Sequence, residues 1–327
     1  MPGIVRTVLG DIAADLLGVT YMHEHLIIDS EIVAKDFAHI HLPSQSEAIE
    51  EVGLCKSHGV RTMVDCMPTG SGRSALKLAA ISKATGMNIV ATAGLHTDRY
   101  YQPTDDLETM STHDLAQVFV RDIEVGMEGT EHKAGQLKVV TSGHVITNRE
   151  RRLFEAVAIA HHKTGAPILS HCEHGKGAIE QIELFLELKI PIHKVTLSHT
   201  DKEADFGYHR QILSSGINVE YDQSLRQCDL AEPPSALLMK AMVDEGFINQ
   251  IMLGTDGARR SLWSSLGGSP GLAWLYSGWS KKLLEIGFTQ AQLDTIFIDN
   301  PAKALTLDMH KSAASRASDE QRVNWRR

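Results

Sequence analysis

The sequence has few cysteines, few aromatic residues and no long apolar run. Among 327 residues there are four cysteines, and aromatic residues make up 6%. The cysteines form no C-x-x-C pair and no small-domain disulfide framework, so we expect reduced thiols at Cys55, Cys66, Cys172 and Cys228. No apolar stretch approaches the roughly 20 residues that span a bilayer, and the N-terminus lacks the basic start and apolar run of a secretory signal. We therefore expect a soluble, cytoplasmic protein.

Positive charge is also in short supply. The chain has 32 Lys and Arg against 41 Asp and Glu, which gives a net charge of −9. An acidic chain gives no support for binding to nucleic acid or to a membrane surface. The partner that we expect is a small-molecule substrate.

Short apolar segments alternate with helical patterns along the chain. Eight of these segments are predicted strands, at 19–23, 61–67, 88–96, 136–142, 167–172, 194–199, 217–222 and 250–256. Near-continuous apolar runs suit strands buried on both faces, as in a parallel sheet. No glycine-rich phosphate loop follows the first strand, which weakens a dinucleotide-binding interpretation. The pattern predicts the α/β class and a single-domain (β/α)8 TIM barrel rather than an open doubly wound sheet.

Helices and boundaries complete this prediction. Amphipathic helices are predicted at 46–59, 74–86, 149–165 and 178–189, and the first three end in glycine, a common helix stop. We assign residues 1–308 to the barrel. The polar, small-residue-rich segment 309–327 is expected to be a flexible C-terminal tail.

Several of the 17 histidines fall at the ends of predicted strands. His23 and His25 form H-x-H at the end of the first strand, where a period of two puts both imidazoles on one side. His171, His199 and Asp256 end the fifth, sixth and eighth strands, and the C-terminal strand ends of a barrel meet at one mouth. A single histidine at a strand end is more often a hydrogen-bonded core residue. Ligand-type residues at four strand ends favour a hydrolytic metal site instead.

Lys138 lies within the apolar fourth strand, "QLKVVTS". A buried, unpaired ammonium costs several kcal/mol. Either the strand is misplaced, the lysine reaches outward, or something has replaced the positive charge. The residues alone leave these three explanations open.

Six motifs carry a resemblance to a known family. The motifs "YMHEHL", "GTEHKAGQLKVVTS", "ILSHCEHG", "TLSHTD", "MLGTDGARR" and "IDNPAKAL" resemble the phosphotriesterase family of the amidohydrolase superfamily, in order and from about residue 4 to 307. The resemblance implies a binuclear metal centre, bridged by a hydroxide and by a lysine carboxylated on its side-chain nitrogen. Members are often dimers, so a homodimer is a further expectation.

Carried over to this chain, the resemblance implies a role for each ligand. Two divalent ions, Zn²⁺ or else Mn²⁺ or Co²⁺, would be held by His23, His25 and Asp256 at the more buried position, by His171 and His199 at the more exposed position, and by Lys138 as N6-carboxylysine between them. The alternative for Lys138 is a lysine that pairs with a buried acid. Asp256 is the predicted catalytic residue, which accepts the proton of the bridging hydroxide.

The substrate is narrowed by one departure from the family pattern. Triesterases of the family have a histidine directly after the aspartate of the seventh strand, whereas here Gln223 follows Asp222. We therefore expect a lactonase that opens a small sugar lactone, with or without a phosphate, by attack of the metal-bridging hydroxide. A phosphotriesterase is the alternative, and a non-catalytic metal-containing binding protein is a further one.

Four residues are predicted to contact the substrate. Arg226 and Arg259 follow the seventh and eighth strands, and their planar forks suit phosphate or carboxylate, although both could form salt bridges at the barrel rim. Tyr100 and Tyr101 follow the third strand. One of them is expected to lean into the pocket, and packing under the loop is the alternative.

Overall fold

Ten strands form the framework of the described part of the chain. The computed structural model describes residues 3–308, so the predicted tail at 309–327 lies outside the described residues. The strands are β1 (Ile4–Thr7), β2 (Gly10–Ala13), β3 (Thr20–Glu24), β4 (Thr62–Asp65), β5 (Asn88–Gly94), β6 (Gln136–Thr141), β7 (Ile168–Cys172), β8 (Val195–Ser198), β9 (Asn218–Tyr221) and β10 (Ile251–Leu253). Strands β3 to β10 form one parallel sheet in sequence order, and each overlaps one of the eight predicted segments. The predicted (β/α)8 barrel is confirmed.

Backbone hydrogen bonds close the barrel between its first and last strands. The carbonyl oxygen of His23 in β3 accepts from the N–H groups of Thr255, at 3.1 Å, and Asp256, at 3.0 Å. These two residues directly follow β10. The same bonds therefore complete the ring and bring the two ends of the predicted ligand set together.

In residues 3–308, twelve α-helices connect and surround the strands: α1 (Glu31–Asp36), α2 (Gln45–Ser57), α3 (Ala75–Thr85), α4 (Asp106–Thr109), α5 (Thr112–Glu124), α6 (Asn148–Thr164), α7 (Ala178–Glu187), α8 (Phe206–Ser214), α9 (Pro234–Asp244), α10 (Ser280–Glu285), α11 (Gln290–Asp294) and α12 (Asn300–Ala304). The four predicted helices correspond to α2, α3, α6 and α7. Gly86 and Gly165 end α3 and α6 in the left-handed conformation, with φ of 64° and 71°. Within the described range, no helix combines the length and the apolar character needed to cross a bilayer.

The antiparallel hairpin β1–β2 was not predicted. Val5 of β1 belongs to a buried cluster with Met22, Val64 and Leu169 of the barrel strands, and with Leu17 in the segment that leads into β3. The cluster therefore lies toward the N-terminal ends of the strands. Because apolar side chains fill the barrel interior at this end, the interior is open to a ligand at the C-terminal ends of the strands.

Candidate metal centre

The predicted ligands from five strands converge at the C-terminal end of the barrel. Ring centroids lie 5.3 Å apart for His23 and His25, 4.7 Å for His23 and His199, and 4.4 Å for His171 and His199. The side chains of His23, His25 and Asp256 offer ligand atoms that all lie within 4.8 Å of one another. This is the set expected at the more buried position.

Lys138 is fully buried in β6, so the strand is correctly placed and the side chain does not reach outward. Its Nζ donates to the carbonyl oxygen of Cys66 at 2.8 Å, and it has no ion pair with any described residue. Burial lowers the pKa of the amine, which favours its neutral form. The structure therefore excludes two of the three explanations considered for Lys138, a misplaced strand and an outward-reaching side chain.

Three histidine nitrogens at this site are suited to a cation. His23 Nε2, His25 Nδ1 and His171 Nδ1 are buried and have no hydrogen-bond partner among residues 3–308. Such unsatisfied atoms are uncommon inside proteins and call for an explanation. Burial lowers the pKa of His23 and His171, so both rings are neutral, which is the form that binds metals. The residues present therefore fit a metal centre.

The other nitrogen of three rings faces a carboxylate. Glu220 Oε2 lies 3.2 Å from His23 Nδ1, Glu173 Oε2 lies 2.5 Å from His171 Nε2, and Asp222 Oδ2 lies 2.5 Å from His199 Nδ1. None of these three acids had a role predicted from the sequence. In "NVEYD", two acids two residues apart on an apolar strand were the available signal, because that spacing points both into the barrel.

Two of the predicted ligands have a strained backbone. His199 and Asp256 adopt the left-handed region, with φ of 67° and 44°. Residues other than glycine rarely adopt this conformation, and it costs about 1–3 kcal/mol where it is sparsely populated. Such strain is concentrated at functional sites, where the surrounding structure holds it in place.

Asp256 is ionised despite its surroundings. Burial raises the pKa of its carboxyl group, but Arg226, His25 and His199 outweigh this effect and hold the pKa well below its usual range. Arg226 Nη2 lies 3.0 Å from Asp256 Oδ2. The guanidinium predicted to contact substrate is thus engaged with the predicted catalytic residue.

A cavity of about 490 Å³ opens above the ligands, and its wall contains some of the predicted substrate contacts. Tyr100, Arg226 and Arg259 line it, and Arg259 is exposed without an acidic partner among the described residues. Tyr101 lies outside the cavity, because its hydroxyl accepts from the His96 N–H and donates to the Thr69 carbonyl, both at 2.9 Å.

Two further cations line the same cavity. Lys202 Nζ lies 3.9 Å from Asp256 Oδ2, and Arg99 Nη2 lies 3.6 Å from Glu173 Oε2. Neither residue had a role predicted from the sequence. Both come within three residues of the end of a predicted strand, in "HTDK" and "HTDR", and this position at the barrel mouth was the signal that could have identified them.

Comparison with known proteins identifies the family. Residues 3–305 match the Phosphotriesterase family. The chain belongs to this family. The predicted membership is confirmed, and this phosphotriesterase-family member is a hydrolase whose His and Asp side chains could hold metal.

Its relatives within the family cover most of its length. The Phosphotriesterase homology protein of Escherichia coli (strain K12) is 30% identical over 290 residues, which is 88% of this chain and 98% of the relative. The Phospho-furanose lactonase of Mycoplasmopsis synoviae (strain 53) is 26% identical over 93% of this chain and 92% of its own. A lactonase structure from Listeria monocytogenes superimposes with a TM-score of 0.88 at 33% identity, covering 93% of this chain and 99% of that one.

Proposed function

We propose that this protein is a binuclear metal-dependent lactonase acting on a small sugar lactone that carries an anionic group, most simply a phosphate. One observation carries the proposal: several cationic side chains line the cavity above the ligand cluster. Lys202, Arg99 and Arg259 line it, and Arg259 has no acidic partner among residues 3–308. Cationic side chains around a small cavity favour an anionic ligand, and arginine suits phosphate in particular.

The proposed ligand roles are those that the resemblance implies, and the proximity of the His23, His25 and Asp256 ligand atoms supports them. His23, His25 and Asp256 would hold the more buried ion, with His171 and His199 at the more exposed one. Zn²⁺ suits this nitrogen and oxygen set, with Mn²⁺ or Co²⁺ as alternatives. When bound, the two ions supply an activated water as nucleophile and a Lewis acid for the lactone carbonyl oxygen.

Lys138 would bridge the two ions as a carbamate. Its neutral amine forms a bond from Nζ to the carbon of carbon dioxide and releases one proton, which leaves an N-carboxylate with two oxygen ligands. Burial and the lack of an ion pair among the described residues support this assignment, because they favour the neutral amine that the step requires.

Asp256 would act as the proton acceptor during lactone opening. Its carboxylate is ionised, and one oxygen lies 3.5 Å from His25 Nε2. It lines the cavity beside Tyr100, so it lies next to the space available to a substrate. From there it can take the proton of the attacking water and pass it to the alkoxide oxygen that forms when the ring C–O bond breaks.

Phosphotriester hydrolysis is the rival activity, and Gln223 argues against it. Gln223 lines the cavity, and its amide donates to Asp222 Oδ1. An amide does not titrate, so it cannot relay a proton from this position as a histidine does. Efficient triester hydrolysis would therefore need another route for the proton.

The deciding experiment compares one pentono-1,4-lactone with its 5-phosphate, following acid release by protein reconstituted with zinc in bicarbonate. We expect the phosphate to be preferred by roughly a hundredfold or more in kcat/KM, about 2.7 kcal/mol. Equal rates for the two lactones would contradict the proposed anionic substrate but would still support lactonase activity. A neutral chromogenic triester, tested in parallel, would support the rival if it reacted faster than either lactone.

Two measurements on the same preparation test the centre itself. Elemental analysis is expected to find two metal ions per chain. Intact mass under native conditions is expected to exceed the sequence mass plus metals by one carbon dioxide, and Lys138→Gln should lose that increment. A chain that binds no metal would overturn the proposal.

A further inference from the structure

Glu220 is a buried acid that the proposed mechanism does not use. It lies in β9 and is fully buried. Its Oε1 has no hydrogen-bond partner among the described residues, and its Oε2 makes one contact, with His23 Nδ1 at 3.2 Å. Burial raises the pKa of this carboxyl group, and a carboxyl group so placed is costly for folding because one contact replaces its lost hydration only in part. Its presence therefore calls for a reason other than stability.

The partner ring presents its second nitrogen to the metal centre. His23 Nε2 is buried, has no hydrogen-bond partner in the described part of the chain, and lies 4.0 Å from Asp256 Oδ1. A neutral imidazole carries one proton. If Nε2 is a metal ligand, as the proposed function requires, the proton is on Nδ1, and Nδ1 then donates to Glu220.

Glu220 and His23 pack tightly against Gly254. A Cβ placed on Gly254 would lie 2.5 Å from Glu220 Oε1 and 2.6 Å from the Cβ of His23. Any residue larger than glycine at 254 would therefore push the carboxylate and the ring out of place. The contact between Glu220 and His23 therefore requires glycine at position 254, which directly follows β10.

The other two acid–histidine pairs have additional structural roles. Asp222 Oδ2 also accepts the backbone N–H of His199 at 3.0 Å, and Glu173 also lies 3.6 Å from Arg99. Among residues 3–308, Glu220 has a side-chain hydrogen bond to His23 alone. A substitution of Glu220 therefore tests its contact with His23 alone, whereas a substitution of Asp222 or Glu173 would also remove other contacts.

We infer that Glu220 is a positioning residue: its carboxylate accepts the Nδ1 proton of His23, fixes the tautomer and aims Nε2 at the more buried metal. The inference rests on the proposed metal centre and deepens it. Acids in this position typically change metal affinity by 10–100-fold, although they never touch the ion.

The test measures zinc affinity of the metal-free, full-length protein by competition with a chromogenic chelator. Glu220→Met keeps the approximate volume but removes the acceptor, and we expect its zinc affinity to fall by roughly 10–100-fold. Glu220→Gln keeps an acceptor oxygen and is expected to bind zinc nearly as well as wild type. The midpoint of thermal unfolding of the metal-free Glu220→Met protein should be unchanged or higher, because a buried polar group with an unpaired oxygen has been removed.

Glu51→Met is the matched control. Glu51 is also fully buried, but its oxygens accept from the backbone N–H groups of Leu272 and Ser265 at 2.7 and 2.8 Å. This substitution should lower the midpoint and leave zinc affinity unchanged. A merely structural role for Glu220 would produce the same result in both variants.

The tautomer gives a second readout that is independent of metal. In ¹⁵N spectra of the metal-free protein, the imidazole signal that disappears in His23→Asn should report Nδ1–H in wild type and Nε2–H in Glu220→Met. Wild-type zinc affinity in Glu220→Met, or Nε2–H in wild type, would overturn the inference and leave the lactonase proposal standing. A wild-type protein that binds no zinc would overturn both.

Discussion

Arg226 holds Asp256 at two points: its Nη2 lies 3.0 Å from the carboxylate Oδ2 and donates to the carbonyl oxygen of the same residue at 2.7 Å. Its Nη1 also donates to the carbonyl of Thr255 at 2.9 Å. The backbone of Asp256 is left-handed, with φ of 44°, and these bonds offset the strain of that conformation. Arg226 therefore orients a proposed ligand.

Replacing Arg226 by lysine should reveal this role. Lysine keeps the charge but cannot form the planar set of bonds, so Asp256 should lose its fixed orientation. We expect kcat to fall roughly 10–100-fold and zinc to bind less tightly. Steady-state kinetics and metal analysis would measure both, with Arg210→Lys, at an exposed pair with Glu245, as the control. Full turnover in Arg226→Lys would contradict this assignment.

Arg259 and its neighbour Arg260 provide a matched test of the anionic substrate. Arg259 lines the cavity, whereas Arg260 Nη1 donates to the carbonyl oxygen of His41 at 3.0 Å. Arg259→Gln should raise KM for a lactone 5-phosphate by roughly tenfold or more, the value of one charged hydrogen bond. The unphosphorylated lactone should be unaffected, and Arg260→Gln should change neither KM. Equal effects of the two substitutions on KM for the 5-phosphate would show that Arg259 does not bind the phosphate specifically.

Gly94 determines how closely β5 approaches Lys138. Its φ is 117°, and a Cβ on it would lie 2.1 Å from the Lys138 carbonyl oxygen. Gly94→Ala should lower the free energy of unfolding by on the order of 4 kcal/mol, through backbone strain and overpacking together. Gly246 has φ of 96° with no atom near its Cβ position, so Gly246→Ala should cost only about 1–2 kcal/mol. Denaturant titration would compare them, and similar costs would show that the clash is relieved.

His161 in α6 should make stability depend on pH below neutrality. Its ring is buried, with Nδ1 2.8 Å from the Ala166 carbonyl oxygen, and burial lowers its pKa below the usual value. The unfolded chain therefore binds a proton more readily. Stability from the neutral ring is complete above the unfolded pKa of about 6.5 and is lost as the pH falls toward the folded pKa. The loss is about 1.4 kcal/mol for each pH unit that separates the folded pKa from the unfolded pKa.

His161→Asn removes the titration while keeping a side-chain N–H near the position of Nδ1. The difference in unfolding free energy between wild type and this variant should shrink as the pH falls from about 8 to 5. Urea titrations across that range would measure it. A difference that stays constant with pH would mean that His161 does not contribute to the dependence.

The sequence predicted the barrel because its buried parallel strands are continuous apolar runs, and their ends are marked by histidines such as His23 and His199. The hairpin β1–β2 was missed because its strands have only four residues each and are partly exposed, so neither shows a strong period. Short strands of this kind form because of the segments that they pair with and pack against. The hairpin packs against the N-terminal end of the barrel, and a local sequence pattern does not reveal such a contact.

The contacts of the loops were less predictable than the ligands. Tyr100 and Tyr101 are adjacent and chemically identical, and only the turn at Asp98–Tyr100 decides which one lines the cavity. Arg226 and Asp256 are 30 residues apart in sequence, so their ion pair depends on how two loops fold together. Strand ends follow from the barrel geometry, but loop conformations follow from many weak contacts at once.

The ring of strands is completed by bonds from Thr255 and Asp256 to the carbonyl oxygen of His23, and this has a consequence for synthesis on the ribosome. A growing chain carries both members of the H-x-H pair long before residue 256 leaves the exit tunnel. Contacts between residues so far apart in sequence form slowly, and partly folded barrels expose unpaired strand edges meanwhile. The three side chains proposed for the buried position, His23, His25 and Asp256, therefore come together only near the end of folding.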